Sequence, residues 1–159
     1  MTDDIMVSID CTTYNHERYI ADAIEGFLMQ KTNFKFEILI HDDASTDSTP
    51  KIIKKYEQLY PDIVKSVYQK ENQYSKKINV SYRYQLPRAK GKYIALCEGD
   101  DYWIDPYKLQ KQVDYLESNP DCSLCFHNAE VIDVTNGNKT IKKHVPLSLI
   151  HISEPTRRR

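Results

Sequence analysis

Glycine is scarce in this chain, four in 159 residues, and none falls in Thr12 to Asn15, the turn after the first apolar segment. Glycines at that place let a backbone close around a pyrophosphate, so their absence counts against a dinucleotide-binding dehydrogenase and a P-loop enzyme. No apolar run approaches the roughly 20 residues that cross a bilayer, and Met1-Thr2-Asp3-Asp4 lacks the basic start of a secretory signal. A cytoplasmic protein is the expectation. Charge of one sign is also missing. The 22 basic and 23 acidic residues nearly cancel, which leaves no long-range field for nucleic acid, an anionic membrane or a cationic partner. Four cysteines, Cys11, Cys97, Cys122 and Cys125, sit in apolar stretches and read as buried reduced thiols, not as a disulfide framework. Cys122 and Cys125 have the spacing of half a zinc site, but the other two are single and distant, so a plain strand interior is preferred. His16, His41 and His127 match no common zinc spacing and read as hydrogen-bonding residues. The twelve tyrosines are scattered and form no nucleic-acid stacking signature.

What is present is an alternation of β-branched and helical-period segments, the pattern of βαβ units and a largely parallel sheet in an α/β domain. With 40% hydrophobic residues the chain is long enough for one core, and a single or incomplete domain is expected over 1–146. Strands are predicted at Ile5 to Thr12, Phe36 to Ile40, Ile63 to Tyr68, Tyr93 to Cys97 and Ser123 to Phe126. Ile20, Ala23, Ile24, Phe27 and Leu28 have the spacing of a helix with one buried face. Thr49-Pro50 reads as an N-cap and first helical position, with Ile52, Ile53, Tyr56, Leu59 and Tyr60 as the inner stripe until Pro61. Glu71 to Lys77 reads as a loop and Val80 to Ala89 as a short helix. Asp105-Pro106 is a second helix start, with Leu109, Val113 and Leu116 inward until Asn119-Pro120. Val131 to Val134 and Lys139 to Lys142 flank Asn136-Gly137, a signal for a hairpin with a type I′ turn.

The end of the chain needs separate treatment. Leu147 to Arg157 agrees at all eleven positions with the in-frame translation of a common sequencing adapter, so 147–159 is expected to be a non-native tail and the natural frame to leave near Pro146. A disordered basic tail ending in Arg157-Arg158-Arg159 is the alternative.

In an open α/β sheet, ligands gather outside the carboxyl ends of the strands. Three polar clusters fall there: Thr12-Thr13-Tyr14-Asn15, Asp42-Asp43-Ala44-Ser45-Thr46-Asp47, and Glu98-Gly99-Asp100-Asp101-Tyr102-Trp103. Three carboxylates within four residues, Glu98, Asp100 and Asp101, repel one another unless a cation intervenes. Magnesium or manganese fits, because each takes one or two carboxylates and completes its shell with water and diphosphate oxygens. The bland reading is a solvated or N-capping acidic loop. Asp42 and Asp43 offer acceptors for sugar hydroxyls or base N–H groups, while Ser45, Thr46 and Asp47 form turns. Caps alone would also explain that cluster. Tyr102 and Trp103 read as packing beside the acidic loop, with sugar stacking as the alternative.

Together and in this order, these clusters resemble those of the family 2 glycosyltransferases, which have the GT-A fold, a Rossmann-like, mostly parallel sheet flanked by helices. Val7 to Asn15 resembles the family's opening strand and loop, Ile40 to Asp47 its nucleotide-binding turn, and Lys90 to Ala95 with Glu98 to Trp103 its metal-binding strand and Asp-x-Asp motif. The likeness runs from about Ile5 to His127. It implies transfer of a sugar from a nucleotide diphosphate donor, a uridine one in the first instance, to a glycan or lipid-linked acceptor hydroxyl with inversion, in bacterial surface polysaccharide synthesis. It implies donor-binding roles for Thr12, Thr13, Tyr14, Asn15, Asp42, Asp43 and Asp100, and a Mg2+ or Mn2+ ion held by Asp100 with Glu98 and Asp101. Peripheral attachment to the inner membrane face is left open for the intact protein.

Glu98 departs from the motif's usual first Asp, lengthening the arm, so the metal contact is assigned first to Asp100. The family's general base lies well downstream of the metal motif, and Glu130 and Asp133 come too early for it. The fold is accordingly expected to be incomplete at its carboxyl end. Three rivals stand beside this reading. A sugar-nucleotidyltransferase lacks its glycine-rich loop here, a glycoside hydrolase would tolerate chelators, and a nucleotide-binding fragment would bind without turnover. The transferase reading requires Thr13, Asp42 and Asp100 to share one hollow.

Overall fold

Strand β1 (Ile5–Thr13) lies inside the sheet, which is why its apolar and small residues run almost without a break. The computed structural model describes residues 4–127, 129–133 and 140–143. Helix α1 (Ile20–Leu28), strand β2 (Lys35–Asp42), helix α2 (Thr49–Leu59), strand β3 (Val64–Tyr68) and strand β4 (Tyr93–Leu96) follow in order. The four strands form one parallel sheet in the order β3-β2-β1-β4, an α/β architecture. Val7, Ile9 and Cys11 from β1, and Ile38, Leu39 and Ile40 from β2, are buried, as are Ile20, Ala23, Ile24 and Phe27 of α1. The α1 period therefore packs as its spacing requires. The α2 stripe does so only in part: Ile53 is buried, whereas Leu59 and Tyr60 are exposed beside Pro61.

The start of α2 lies one residue earlier than Thr49-Pro50 suggests. Ser48 is the cap residue, and the Thr49 N–H donates to Asp47 Oδ1 at 2.9 Å, so the carboxylate one position upstream supplies the oxygen that Ser48 does not. The helix predicted after Asp105-Pro106 starts later instead. Its range is α3 (Lys108–Ser118), because 105–107 forms a turn in which Asp105 Oδ1 accepts the Tyr107 N–H and the Asp105 carbonyl accepts the Lys108 N–H. Gln30 fastens that turn, donating to the Asp105 carbonyl and accepting the Leu109 N–H.

The predicted short helix over Val80 to Ala89 is one turn of π-helix, Ser81–Gln85, followed by a 3-10 turn, Leu86–Arg88. Pro87 has no N–H to continue an α-helical ladder. The wide turn places fully buried Gln85 under the sheet, where it donates to Asp10 Oδ1 and the Leu39 carbonyl. Arg88 donates to the Lys65 and Ile40 carbonyls and to Gln85 Oε1. Glu71 to Lys77 contains a 3-10 turn, Tyr74–Lys76.

Two compact units span Met1–Gln110 and Lys111–Arg159. In the second, Ser123 to Phe126 is not a strand. Leu124 and Phe126 are exposed, and among the described residues the segment has no ladder partner, which β-propensity alone cannot replace. Strands β5 (Glu130–Asp133) and β6 (Thr140–Lys143) pair antiparallel, with Glu130 opposite Lys143 and Asp133 opposite Thr140. That register is centred on Asn136-Gly137, and the turn itself lies outside the described residues, as does 147–159. All four cysteines are free. Among the described residues no helix is long and apolar enough to cross a membrane.

His41, fully buried in β2, makes the fold sensitive to acid. Burial pulls its pKa down to about 4, Arg88 adds to the depression, and Asp43 opposes it. Between pH 6.5 and 4 the unfolded chain takes up a proton that the folded chain refuses, so folding free energy falls as pH drops through that window and levels off below it. The loss expected from this one ring is about 3 kcal/mol. Urea unfolding of the parent and His41→Phe from pH 7.5 to 4 checks it, since the variant should lose the part of the slope due to His41.

Candidate functional site

Because β1, β2 and β4 are parallel, their carboxyl ends open on one side of the sheet, and all three polar clusters meet there. Ladder-like bonds carry the strands into the loops. The Asp43 N–H donates to the Thr13 carbonyl at 2.9 Å, the Cys97 N–H to Asp10 at 3.1 Å, and the Gly99 N–H to Thr12 at 2.9 Å. Thr13 lies opposite Asp42 in the register. Gly99 fits against Thr13 so closely that an added Cβ would stand 2.6 Å from Thr13 Oγ1 and 3.1 Å from His16 Nδ1. Asp100 therefore emerges beside Thr13, and its Oδ2 is 3.8 Å from His16 Nε2. Thr13, Asp42 and Asp100 share one end of the sheet.

The first two loops are laced together. Asn15, left-handed at φ 55°, donates its N–H to Ser45 Oγ and accepts the Thr46 N–H on Oδ1. Glu17 donates its N–H to Asp47 Oδ2 and accepts the Ser48 N–H on Oε2. Ala44 is also left-handed, at φ 66°, a conformation that costs a Cβ-bearing residue about 1 to 2 kcal/mol. Such strain persists where surrounding bonds over-determine it, as this lacing does. Asn15, Ser45, Thr46 and Asp47 thus tie the loops after β1 and β2 together. Tyr14 is exposed and Thr12 is half-buried.

The two adjacent aspartates differ in role. Asp43 accepts the Gln73 N–H on Oδ1 at 2.8 Å and the Tyr74 N–H on Oδ2 at 3.0 Å, so it anchors the 71–77 loop as one wall. Asp42 accepts the Ser45 N–H on Oδ2 at 3.2 Å, while its Oδ1 is buried without a hydrogen-bond partner. Burial raises the Asp42 pKa, Ser45 opposes the rise, and Asp47 and Asp43 add to it. Thr13 Oγ1 and His16 Nδ1 are likewise buried and unpartnered. A buried polar atom left unmade costs about 1 to 3 kcal/mol, so the bare Asp42 Oδ1 at this strand end marks a place suited to a polar ligand atom.

Glu98, Asp100 and Asp101 are exposed in the loop that follows β4. Burial raises the Asp101 pKa, the neighbouring Asp100 raises it further, and His16 counters. That mutual opposition is what a divalent cation relieves. Among the described residues no three His, Cys, Asp or Glu side chains form a ready-made metal cage. One or two hard carboxylate ligands with open positions suit Mg2+ or Mn2+ bound jointly with a diphosphate. Trp103 is buried edge-on to Phe27, 4.8 Å between ring centroids, with Lys108 Nζ 4.0 Å above its indole, and so packs beneath the acidic loop. Tyr102 is exposed.

The sequence favours a hydrogen-bonding role for His16 over metal ligation, and no spacing rule pairs it with an aspartate 84 positions later. Asp10, Gln85 and Arg88 went unremarked as a group. The available signal was Asp10, one carboxylate inside an otherwise apolar strand.

Comparisons with known proteins place the chain in a family. The model for Glycosyl transferase family 2 matches residues 8–158. An uncharacterized protein of Mycobacterium tuberculosis is 45% identical over 126 residues, covering 79% of this chain and 36% of the relative. The putative teichuronic acid biosynthesis glycosyltransferase TuaG of Bacillus subtilis is 32% identical over 148 residues, 92% of this chain and 55% of its own. Among solved structures, S. aureus TarS 1-349 in complex with UDP-GlcNAc superposes with a TM-score of 0.61 at 26% identity, covering 73% of this chain and 32% of that one. The chain thus spans about a third of the length of the first of these relatives. On its sequence match, its parallel sheet and its GT-A structural neighbours, this chain belongs to glycosyl transferase family 2.

Proposed function

We propose that these residues are the donor-binding part of an inverting glycosyltransferase that uses a UDP-sugar and contributes to a surface polysaccharide. The observation that carries the reading is the unpartnered, buried Asp42 Oδ1 at the strand end that also presents Thr13 and Asp100. A carboxylate in that setting accepts an N–H or hydroxyl from a nucleoside with little competition from water. The UDP-GlcNAc bound to TarS supports a uridine donor, and the TuaG likeness supports a surface-polymer product.

In this reading Asp42 and the backbone beside Thr12 and Thr13 hold the nucleoside. Asn15 and Asp43 keep the two flanking loops in place, and Tyr14 stands at the entrance. Asp100, with Asp101 and Glu98 nearby, holds Mg2+ or Mn2+, which offsets negative charge on the departing diphosphate. The general base that takes the acceptor proton belongs to a downstream carboxylate. The described residues are expected to bind UDP.

Calorimetric titration of UDP with and without MnCl2, followed by donor turnover assays, tests the assignment. Metal-enhanced UDP binding is expected, and its absence would remove the donor site. Asp42→Asn keeps the shape but removes the charged acceptor, so UDP affinity should fall about tenfold or more. Equal affinity in parent and variant would take the nucleoside away from Asp42.

A further inference from the structure

We infer that His16 is a positioning residue for Asp100, linking the floor of the donor site at Thr13 to the carboxylate that faces the cation; this rests on the donor-site reading above. The backbone fixes the ring's origin. Asn15 turns the chain through a left-handed conformation, and the His16 carbonyl then accepts the Tyr19 and Ile20 N–H groups, both at 2.9 Å, at the entry to α1. The imidazole lies beside Gly99 and Asp100, both in the loop that follows β4.

Nε2 lies 3.8 Å from Asp100 Oδ2. Nδ1 is buried, has no hydrogen-bond partner, and abuts Gly99, against which the unpartnered Thr13 Oγ1 also stands. The hydrogen-bonding inventory of these groups permits one consistent chain. The Thr13 hydroxyl donates to an unprotonated Nδ1, which fixes the proton on Nε2, and Nε2–H donates to Asp100 Oδ2. The Thr13–Nδ1 bond would satisfy two orphaned buried atoms, and a separate approach of Asp100 would bring the 3.8 Å separation to hydrogen-bond length. Asp100 Oδ1 is then left to face the ion. Outer partners of this kind set the angle and basicity of a ligating carboxylate. Gly99 is what allows the relay, since a Cβ there would occupy the space between Thr13 and His16.

The test is Mn2+ binding to the full chain at saturating UDP, read from the paramagnetic resonance of free Mn2+, beside UDP binding without metal. His16→Ala and His16→Asn should weaken Mn2+ binding on the order of tenfold to a hundredfold, while metal-free UDP binding stays at the parent value. His16→Gln should recover most of the loss, because its amide nitrogen reaches the Nε2 position, whereas that of Asn reaches only the Nδ1 position. A packing role for His16 would not separate Gln from Asn, so equal affinities in those two variants overturn the inference. Thermal unfolding of each variant accompanies the titration, and should His16→Ala fail to fold, the Gln and Asn pair decides alone. If Asp100→Ala abolishes Mn2+ binding while all His16 variants keep it, the positioning role falls and the donor site stands. If Asp100→Ala binds Mn2+ like the parent, the metal reading falls and takes the positioning role with it.

Discussion

Asp100→Ala is expected to erase the metal dependence of UDP binding, leaving the weak affinity seen without manganese. Asp100 emerges from the β4 end directly after Gly99, the residue wedged against Thr13, so its carboxylate is the acidic group that the backbone itself brings to the donor hollow. Glu98 and Asp101 flank it, but among the described residues no three His, Cys, Asp or Glu side chains form a cage, so on the proposed reading the shell would need substrate oxygens. Losing the principal protein ligand should therefore cost more than losing an outer partner, beyond about a hundredfold in Mn2+ affinity. Titration of UDP in MnCl2 and in EDTA reads the effect. The variant's two curves should coincide, and a persisting manganese enhancement would assign the ion to another place.

Gly91→Ala should destabilise the chain by more than about 3 kcal/mol, a large share of the roughly 5 to 15 kcal/mol that holds a domain folded. An added Cβ would lie 2.3 Å from the Ser8 nitrogen, 2.6 Å from the Val7 carbonyl carbon and 2.9 Å from the Tyr93 oxygen. All three are backbone atoms, so no rotamer change relieves the collision. The same segment is pinned by buried polar groups, for Ser8 Oγ accepts the Gly91 N–H and donates to Glu37 Oε1, which also accepts the Lys90 N–H. Moving residue 91 away from β1 breaks these bonds and carries β4 and the acidic loop off the sheet. Urea unfolding should show a lower midpoint, together with weaker UDP binding. An unchanged midpoint would mean that β4 does not dock on β1 in this way.

Much of the fold was legible in the chain, for a definite reason. β1 and β2 are buried on both faces and announce themselves as apolar runs, and α1 announces itself by its 3.6-residue period. The same local logic failed where structure depends on a distant partner. Ser123 to Phe126 has strand composition and, among the described residues, no strand pairs with it. The π-turn at Ser81–Gln85 owes its shape to Gln85 reaching Asp10 and Leu39, which are 75 and 46 positions away. No window of neighbouring residues contains that information.

The candidate site divides in the same way. Sequence alone determined that three polar clusters close three strands, because strand periodicity and carboxylate spacing are local properties; the order of those clusters carried the resemblance to the family 2 glycosyltransferases. Only the tertiary structure decided that Asp43 is taken up by the 71–77 loop while Asp42 keeps a bare oxygen, and that His16 faces Asp100. Those assignments depend on which atoms find partners across the sheet, and a hydrogen bond is settled by position in space, not by distance along the chain.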